Sequence, residues 1–577
     1  MITALLNLGK ILSGDSESLP IKTLDNVEGD LCYVVFDNDS KTVSITRIKP
    51  YERMEEDLAY VGNAGGQKSQ DRITTDQLKY ILGFNKDGEI EKKNKFALQV
   101  VAQKLGDKPT GRLLSKVLAW YSPDPNKYGE AVKDYWDCIL YTVKVREGGK
   151  EVDIPKQPDY RSSLMDQGGT VKGTCQLCGS ERVLPDPAYP NGSLLKIFIV
   201  DKKGFLPGLS EDKVVLAHAV CPSCRKYLEL GSNRVEDKMV GRIRRLNVYV
   251  IPDLPGEKLK EFLGLYEPSQ KGVILEVLED LERAEREVKS LAKEAGVEPR
   301  LTLVFGAKAQ AKFQVWRVIP EVSVMRLIDV LKVFAIASGV LRRPQTVTFS
   351  DLYASLPVRE GRSGVDPRNF LDFLQAFLEG NPLEPSFVYK LFMESVRCRR
   401  YETCENGSTW EYSLEDLVQV QEIFIYSMRL LGLMGTVPQS KEASEEFDVE
   451  KEAERLGLTG ARKGLFLLGY LTALVGKEQA KKGDTRKAIL DRLDFEGMDT
   501  EDVKVYSNRL MESLRDYNQL NSWSEMVFGE AQRSLAGDLR SLTDPQENVF
   551  LILLGYSLTT KWILSHGKRS EGSGTEE

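Results

Sequence analysis

Apolar and polar positions change their period several times along this chain, and each change predicts an element. Residues 1–13, opening Met1-Ile-Thr-Ala-Leu-Leu-Asn-Leu-Gly-Lys10, predict a helix. Leu31–Asp37 and Thr42–Ile48 alternate and are rich in β-formers, and Asn38-Asp39-Ser40 between them is turn chemistry, so the pair predicts a hairpin. Tyr60–Thr75 holds glycine and polar residues without apolar period, which predicts a mobile surface loop. Leu78–Tyr121 is mixed helical and 125–170 turn-rich. Short apolar runs predict strands at Leu194–Val200, Val214–His218, Leu246–Ile251, Leu301–Gly306 and Phe313–Val318. Helices are predicted at Val273–Ala295, Glu321–Leu341, 366–379 and 413–433.

Gln439–Glu454 carries no apolar period and reads as a linker. Beyond it the period is helical throughout: Gly460–Gln479, Thr500–Tyr517, Glu525–Ala536 and Pro545–Leu564. Val503, Tyr506, Leu510, Leu514 and Tyr517 recur at three-to-four spacing, so that helix is amphipathic. These segments predict a compact antiparallel bundle. Leu465-Phe-Leu-Leu-Gly-Tyr470 and Phe550-Leu-Ile-Leu-Leu-Gly-Tyr556 rhyme, and their glycines would let two apolar helices approach closely. The expected class is multi-domain α+β: a mixed N-terminal domain over 1–170 with its loop at 60–75, a four-Cys zinc subdomain over 171–250, a mixed α/β-to-helical middle region over 251–438, and an all-α C-terminal helical bundle over 439–577.

Composition narrows the chemistry. Across 577 residues, 79 Lys and Arg face 86 Asp and Glu, a net charge of −7 that excludes a uniformly basic nucleic-acid coat but permits a local basic groove. The only histidines are His218 and His566, too few for an HExxH zincin or a histidine-rich two-metal site. No phosphate-binding G-x-x-x-x-G-K-[ST] loop, strand-linked G-x-G-x-x-G or outstanding carboxylate cluster is visible. The longest apolar runs fall short of the ~18–20 residues that cross a bilayer, so the reading is a cytoplasmic protein with no membrane partner.

Four of the eight cysteines form two C-x-x-C pairs, Cys175-Gln-Leu-Cys178 and Cys221-Pro-Ser-Cys224. Gly179 and Pro222 suit tight knuckle turns. Two knuckles complete a four-thiolate zinc site, which is coordinatively closed and therefore structural. A redox pair or two disulfides is the rival reading, disfavoured because cytosolic disulfides are rare. Cys32, Cys138, Cys398 and Cys404 read as small core residues and His218 as a bystander. In the 60–75 loop, Asn63, Gln67, Lys68 and Arg72 could reach a ligand such as DNA, and Gly65 and Gly66 would let backbone approach a minor groove. Lys477, Lys481, Lys482, Arg486 and Lys487 form a basic stretch inside the bundle, which as a whole is acidic, with 19 basic and 25 acidic residues over 441–577.

The N-terminal helix and hairpin, the Gly/Asn-rich loop near 62–72, the split C-x-x-C pairs and the C-terminal Phe-x-x-Gly-Tyr texture, in that order, resemble the large subunit of the type I-B CRISPR surveillance complex, Cascade. The resemblance implies a non-catalytic subunit that works with crRNA, the Cascade backbone and the other subunits. It implies recognition of the protospacer-adjacent motif (PAM) in duplex DNA, help in unwinding the target, stabilisation of the R-loop and recruitment of a separate helicase-nuclease. Residues 60–75 would then be the PAM loop, and the basic stretch from Lys477 a track for the displaced single strand. It further implies that the C-terminal part resembles the small subunit and is made alone from an internal start, for which Met434 is placed and Met428 is second. The alternatives are a zinc-containing nucleic-acid-processing enzyme (a nuclease) and a zinc-ribbon scaffold of another ribonucleoprotein.

Overall fold

The computed structural model describes residues 1–13, 19, 21–22, 24, 28–63, 70–89, 96–165, 170–184, 189–190, 192–199, 214–256, 258–266, 286, 288–290, 292–294, 296–309, 312–361, 364–435, 447–483 and 486–570. The chain is mixed α+β and divides into two compact units. The first takes residues 1–241, 247–270 and 300–321, the second 242–246, 271–299 and 322–577.

The first unit opens with α1 (Ile2–Ser13), followed by the hairpin β1 (Leu31–Asp37) and β2 (Thr42–Ile48), as the alternation predicts. α2 (Ala97–Leu105) and α3 (Pro109–Tyr121) follow, then β3 (Leu140–Glu147) and β4 (Lys150–Asp153). The sheet order is β2-β1-β3-β4, with β1 parallel to β3 and antiparallel to β2. β1 is therefore central and buried on both faces, which explains its nearly unbroken apolar run. Its Cys32, Val34 and Phe36 pack with Leu98, Val101, Leu114 and Val117. Its Leu31, Tyr33 and Val35 pack with Met54, Leu58 and Tyr60. β3 and β4 lie in the stretch read as turn-rich, a correction to the sequence reading. Cys32 and Cys138, expected as plain core thiols, are joined in a disulfide, as are Cys398 and Cys404 in the second unit.

The small ribbon β5 (Val171–Lys172) and β6 (Arg182–Val183) precedes α4 (Pro222–Lys238). The strand expected at Leu194–Val200 is a 3-10 turn over Leu194–Phe198, and that expected at Val214–His218 is a helical turn over Val214–Ala217. Runs of seven and five residues carry no period long enough to separate strand from helix. β7 (Val240–Ile243), β8 (Leu246–Asp253), β9 (Arg300–Ala309) and β10 (Lys312–Ser323) form a second sheet in the order β10-β9-β8-β7. Most of the helix expected over Val273–Ala295 lies outside the described residues. α4 packs on α1 at backbone distance. A Cβ on Gly9 would sit 1.8 Å from the Tyr227 carbonyl oxygen, and one on Gly231 would sit 2.1 Å from that of Leu5.

Among its described residues from Val324 onward, the second unit is helical apart from one short hairpin, Arg359–Gly361 with Gly364–Asp366. It runs α5 (Val324–Val340), α6 (Arg368–Glu379), α7 (Pro385–Tyr401), α8 (Leu414–Leu430), α9 (Val449–Arg455), α10 (Gly460–Lys481), α11 (Thr500–Asp516), α12 (Ser522–Asp538) and α13 (Pro545–Ser570). Side-chain caps start several of them: Ser323 accepts from the Arg326 amide, Ser413 from Asp416, and Asp499 and Asn521 close capping boxes. The helices over 460–570 do not stand apart from those before them. The Tyr389 ring on α7 lies 5.5 Å from Phe550 on α13, and Lys561 on α13 is paired with Asp416 on α8. α13 is also long and apolar enough, over Pro545–Ser565, to cross a bilayer by length and composition, which the sequence reading missed; 67% of that window is buried inside the unit, as in a core helix.

The rhyming glycines meet as expected. A Cβ on Gly469 would lie 2.0 Å from the Ile552 carbonyl oxygen, and one on Gly555 would lie 2.0 Å from that of Phe466. Gly469→Ala therefore forces α10 and α13 apart, whereas exposed Gly529 on α12 meets nothing within 4 Å. Thermal denaturation should show Gly469→Ala destabilised by about 1–3 kcal/mol or more, and Gly529→Ala neutral or stabilised by about 0.5–1 kcal/mol. Equal melting of the two variants would contradict the close approach.

Glu422 on α8 is fully buried, and neither carboxylate oxygen has a hydrogen-bond partner. Burial pushes it from 4.5 up to about 7, opposed by Arg429 at 3.7 Å and reinforced by Glu547. The folded chain thus holds this proton more tightly than the unfolded chain. The associated stability is fully present below the unfolded value of 4.5 and is lost as pH rises through about 7. Melting temperature should fall across that range, and Glu422→Gln, neutral throughout, should flatten the fall. An unchanged pH profile in the variant would sink this assignment.

Candidate metal centre and nucleic-acid surfaces

The ribbon β5–β6 carries the first pair of thiols. The Gly173 amide donates to Glu181, Cys175 to Ser180, and Gly179 back to Cys175. Gly179 stands at φ +76°, a conformation that glycine takes without strain, so the turn brings Cys175 and Cys178 to one side. The second pair is made by the start of α4. Cys221 is the N-cap, Pro222 occupies the first helical position, and the Cys221 sulfur accepts from the Cys224 amide at 3.4 Å. The two pieces are stitched by backbone bonds, Gln176 to Ala219 and Leu184 to Val220.

The four sulfurs lie within 4.8 Å of one another, with Cys178 and Cys221 at 3.6 Å. A tetrahedral ion with ~2.3 Å bonds needs sulfurs about 3.8 Å apart, so the cage has the right size and could hold a metal ion. Cys175, Cys221 and Cys224 are buried and Cys178 is exposed. Burial pushes the Cys221 and Cys224 thiols up. At Cys175 burial is outweighed by the Cys221, Leu177 and Cys178 amides, which bring it down to about 7. Helix N-terminal amides favour thiolate, and four thiolates match the donor set of structural zinc. His218 is turned to other use: its Nε2 is 2.8 Å from the Tyr189 hydroxyl, its ring stacks on Phe198, and burial lowers its affinity for a proton.

In the 60–75 loop, Gly65, Gly66, Gln67 and Lys68 lie outside the described residues. The flanks are not surface chain, contrary to the sequence reading. Tyr60, Val61, Gln70, Ile73, Thr74 and Thr75 are buried, and Thr75 bridges to Tyr141 on β3. Arg72 clasps the stem: its Nη1 donates to the carbonyls of Val61, Gly62 and Asn63 at 3.0, 2.8 and 2.9 Å. The Asn63 side chain accepts from Thr75 at 2.7 Å and donates to Asp76. Both side chains thus brace the loop's base. Sequence reasoning missed this role; the only available signal was an arginine nine to eleven residues after the carbonyls it binds.

The basic stretch splits in two. Lys477, Lys481, Lys482 and Arg486 are exposed at the end of α10 and the turn after it. Lys481 is paired with Glu478, and the Lys482 ammonium lies 4.8 Å from the Tyr517 ring centroid. Lys487 faces inward, bonded to Glu415 and the Tyr556 hydroxyl at 2.9 and 2.6 Å. Met434 is buried in the turn after α8.

Residues 172–322 match the family model described as CRISPR-associated protein TM1802, central domain, and residues 347–570 match its C-terminal domain. The two matches together span about two-thirds of the chain and leave out residues 1–171, where the 60–75 loop lies. No curated protein matches the chain.

If the cage holds zinc, purified chain should carry about one equivalent by elemental analysis. Cys221→Ser should lose the metal and the first unit's thermal stability together. Full metal retention in that variant would show that the ion sits elsewhere.

Proposed function

We propose that this CRISPR-associated protein, whose central and C-terminal parts match the TM1802 family models, is the large subunit of a crRNA-guided type I-B surveillance complex. It acts in CRISPR defence without catalysis of its own, in the cytoplasm. It reads the PAM, helps part the duplex, stabilises the R-loop and helps recruit a separate helicase-nuclease. The observation that carries the reading is the pair of CRISPR-associated domain matches, in central-then-C-terminal order. The four-cysteine cage, filled by structural zinc, supports it, because a closed site serves shape and leaves no position for an activated water.

In this reading the clasped stem holds the tip of the 60–75 loop toward duplex DNA. Recognition falls to Gln67, Lys68 and the backbone at Gly65 and Gly66, with Asn63 and Arg72 fixing the loop's direction. Exposed Lys477, Lys481, Lys482 and Arg486 supply the positive track, and Lys487 anchors the turn that displays them. A second polypeptide starting at Met434 would serve as small subunit. Alone it would bare the face of α13 that Tyr389 and Asp416 now cover, and that face would be its contact with a neighbour.

The test is DNA binding by complex assembled from the full set of subunits. Lys68→Ala should weaken PAM-dependent binding with little change on PAM-free duplex. Lys481→Glu with Lys482→Glu should weaken R-loops most at low salt, with a shallower salt dependence than wild type, and leave PAM choice intact. Wild-type behaviour from both would sink the site assignments, and phosphodiester cleavage by the isolated chain would sink the non-catalytic role. A second band that persists unchanged after Met434→Leu would move the internal start elsewhere.

A further inference from the structure

The exposed end of α10 is not only basic. Tyr470, Leu474, Lys477 and Lys481 follow one another at four-, three- and four-residue steps, so they line one face of that helix. Tyr470 and Leu474 are half-buried, and the two lysines are exposed. The neighbouring start of α12 sets Trp523 beside this face. Its indole Nε1 donates to the Tyr470 hydroxyl at 3.0 Å, which fixes the ring edge-on while 45% of the residue stays open to solvent. Met526, one turn along α12, is 50% exposed. At the far end Tyr517, whose hydroxyl accepts from Gln479 at 3.2 Å, lies under the Lys482 ammonium.

Trp523 thus stands half open to solvent and is tethered by its single polar atom. The tether keeps one heteroaromatic face in a defined place. Along about 18 Å of α10, the surface therefore alternates a fixed aromatic, cations and a second aromatic. Among the described residues Lys477 has no ion-pair partner, while Lys481 is paired with Glu478 at 2.7 Å.

We infer that Trp523, braced by Tyr470, is a base-stacking platform for an unpaired polynucleotide whose phosphates run along Lys477, Lys481 and Lys482. The inference rests on the displaced-strand reading above and adds to it a contact with the bases themselves. Stacking on an aromatic face tolerates any base, which suits a strand whose sequence changes with every target. It also resists salt, whereas the lysine contacts do not. The two kinds of contact therefore separate experimentally.

The experiment uses the full-length chain and short fluorescein-labelled oligothymidine and oligouridine, read by anisotropy across a salt series. Trp523→Ala should weaken binding about tenfold with an unchanged salt slope. Trp523→Phe should restore most of it. Lys477→Ala with Lys482→Ala should instead flatten the slope by about 0.7 per lysine removed. Tighter binding of one oligomer identifies the strand as DNA or RNA. If Trp523→Ala binds as wild type while the lysine variant is impaired, the stacking platform is wrong and the basic track stands. If the wild-type chain binds neither oligomer, the platform and the track fall together, and the PAM assignment is untouched. An apolar peptide that competes with oligothymidine only through Trp523 and Met526 would make the strip a protein-docking face and overturn the proposal.

Discussion

The contact between the backbones of α1 and α4 sets the geometry on which the first unit's chemistry depends. Gly9 faces the Tyr227 carbonyl and Gly231 faces that of Leu5, so neither position has room for a side chain. Van der Waals contact at such range is dense and direction-specific, because no flexible side chain intervenes. It holds α4 against the N-terminal helix along a fixed line. Cys221 caps α4 and Cys224 lies in its first turn, so the same contact fixes where half of the metal cage begins. The other half comes from a two-stranded ribbon of two residues a strand, too short to hold itself in place. A metal ion would join the ribbon to the helix, and the ribbon's order would follow from the ion. Loaded with metal, the cage would serve as a fastener between the helix pair and the short ribbon.

The second unit repeats the device with different consequences. Gly469 and Gly555 bring α10 and α13 together, and Gly464 does the same for α10 against α12, where the Ala531 carbonyl would lie 2.8 Å from a Cβ. α10 is therefore gripped by two neighbours along its first half, and the exposed lysines lie on its last turns, where Gly476 and Gln479 are still buried. Lys487, just beyond, turns back to Glu415 and Tyr556 and ties the following turn to α8 and α13. A cation held in this way costs the chain desolvation and returns position, and it presents its neighbours at a fixed place.

Helices α1, α5, α6, α8 and α10 to α13 were legible in the sequence because their apolar period runs over many residues, and the glycine rhyme announced a close pair; α4 and α7 were not foreseen, and α9 begins in a stretch read as linker. The hairpin β1–β2 was legible from alternation. β3 was not: its Leu140–Glu147 run ends in charged residues beside turn-formers, and only its place between β1 and β4 shows why it is a strand. The misread runs at 194–200 and 214–218 have apolar content without length. The stems of the 60–75 loop were misread for a different reason. Polar composition signals surface only when the polar atoms lack internal partners. Here the Thr74 hydroxyl bonds Leu58 and Thr142, and the Ile73 amide donates to the Tyr160 hydroxyl. Two C-x-x-C pairs were the one local signal specific enough to place four side chains together across 42 intervening residues.

The placement of Asn63 and Arg72 changes what kind of reader the loop can be. Side-chain amides and guanidinium groups discriminate base edges by bidentate bonds, and each needs its donors free. Arg72 instead sends one nitrogen to three successive carbonyls, and Asn63 uses both ends of its amide on Thr75 and Asp76. If the loop reads DNA as proposed, the commitment of Asn63 and Arg72 to its base leaves recognition to other residues, of which Gly65, Gly66, Gln67 and Lys68 lie outside the described residues. Reading groove width and a few acceptors would then suffice, because guide pairing would supply the rest of the specificity.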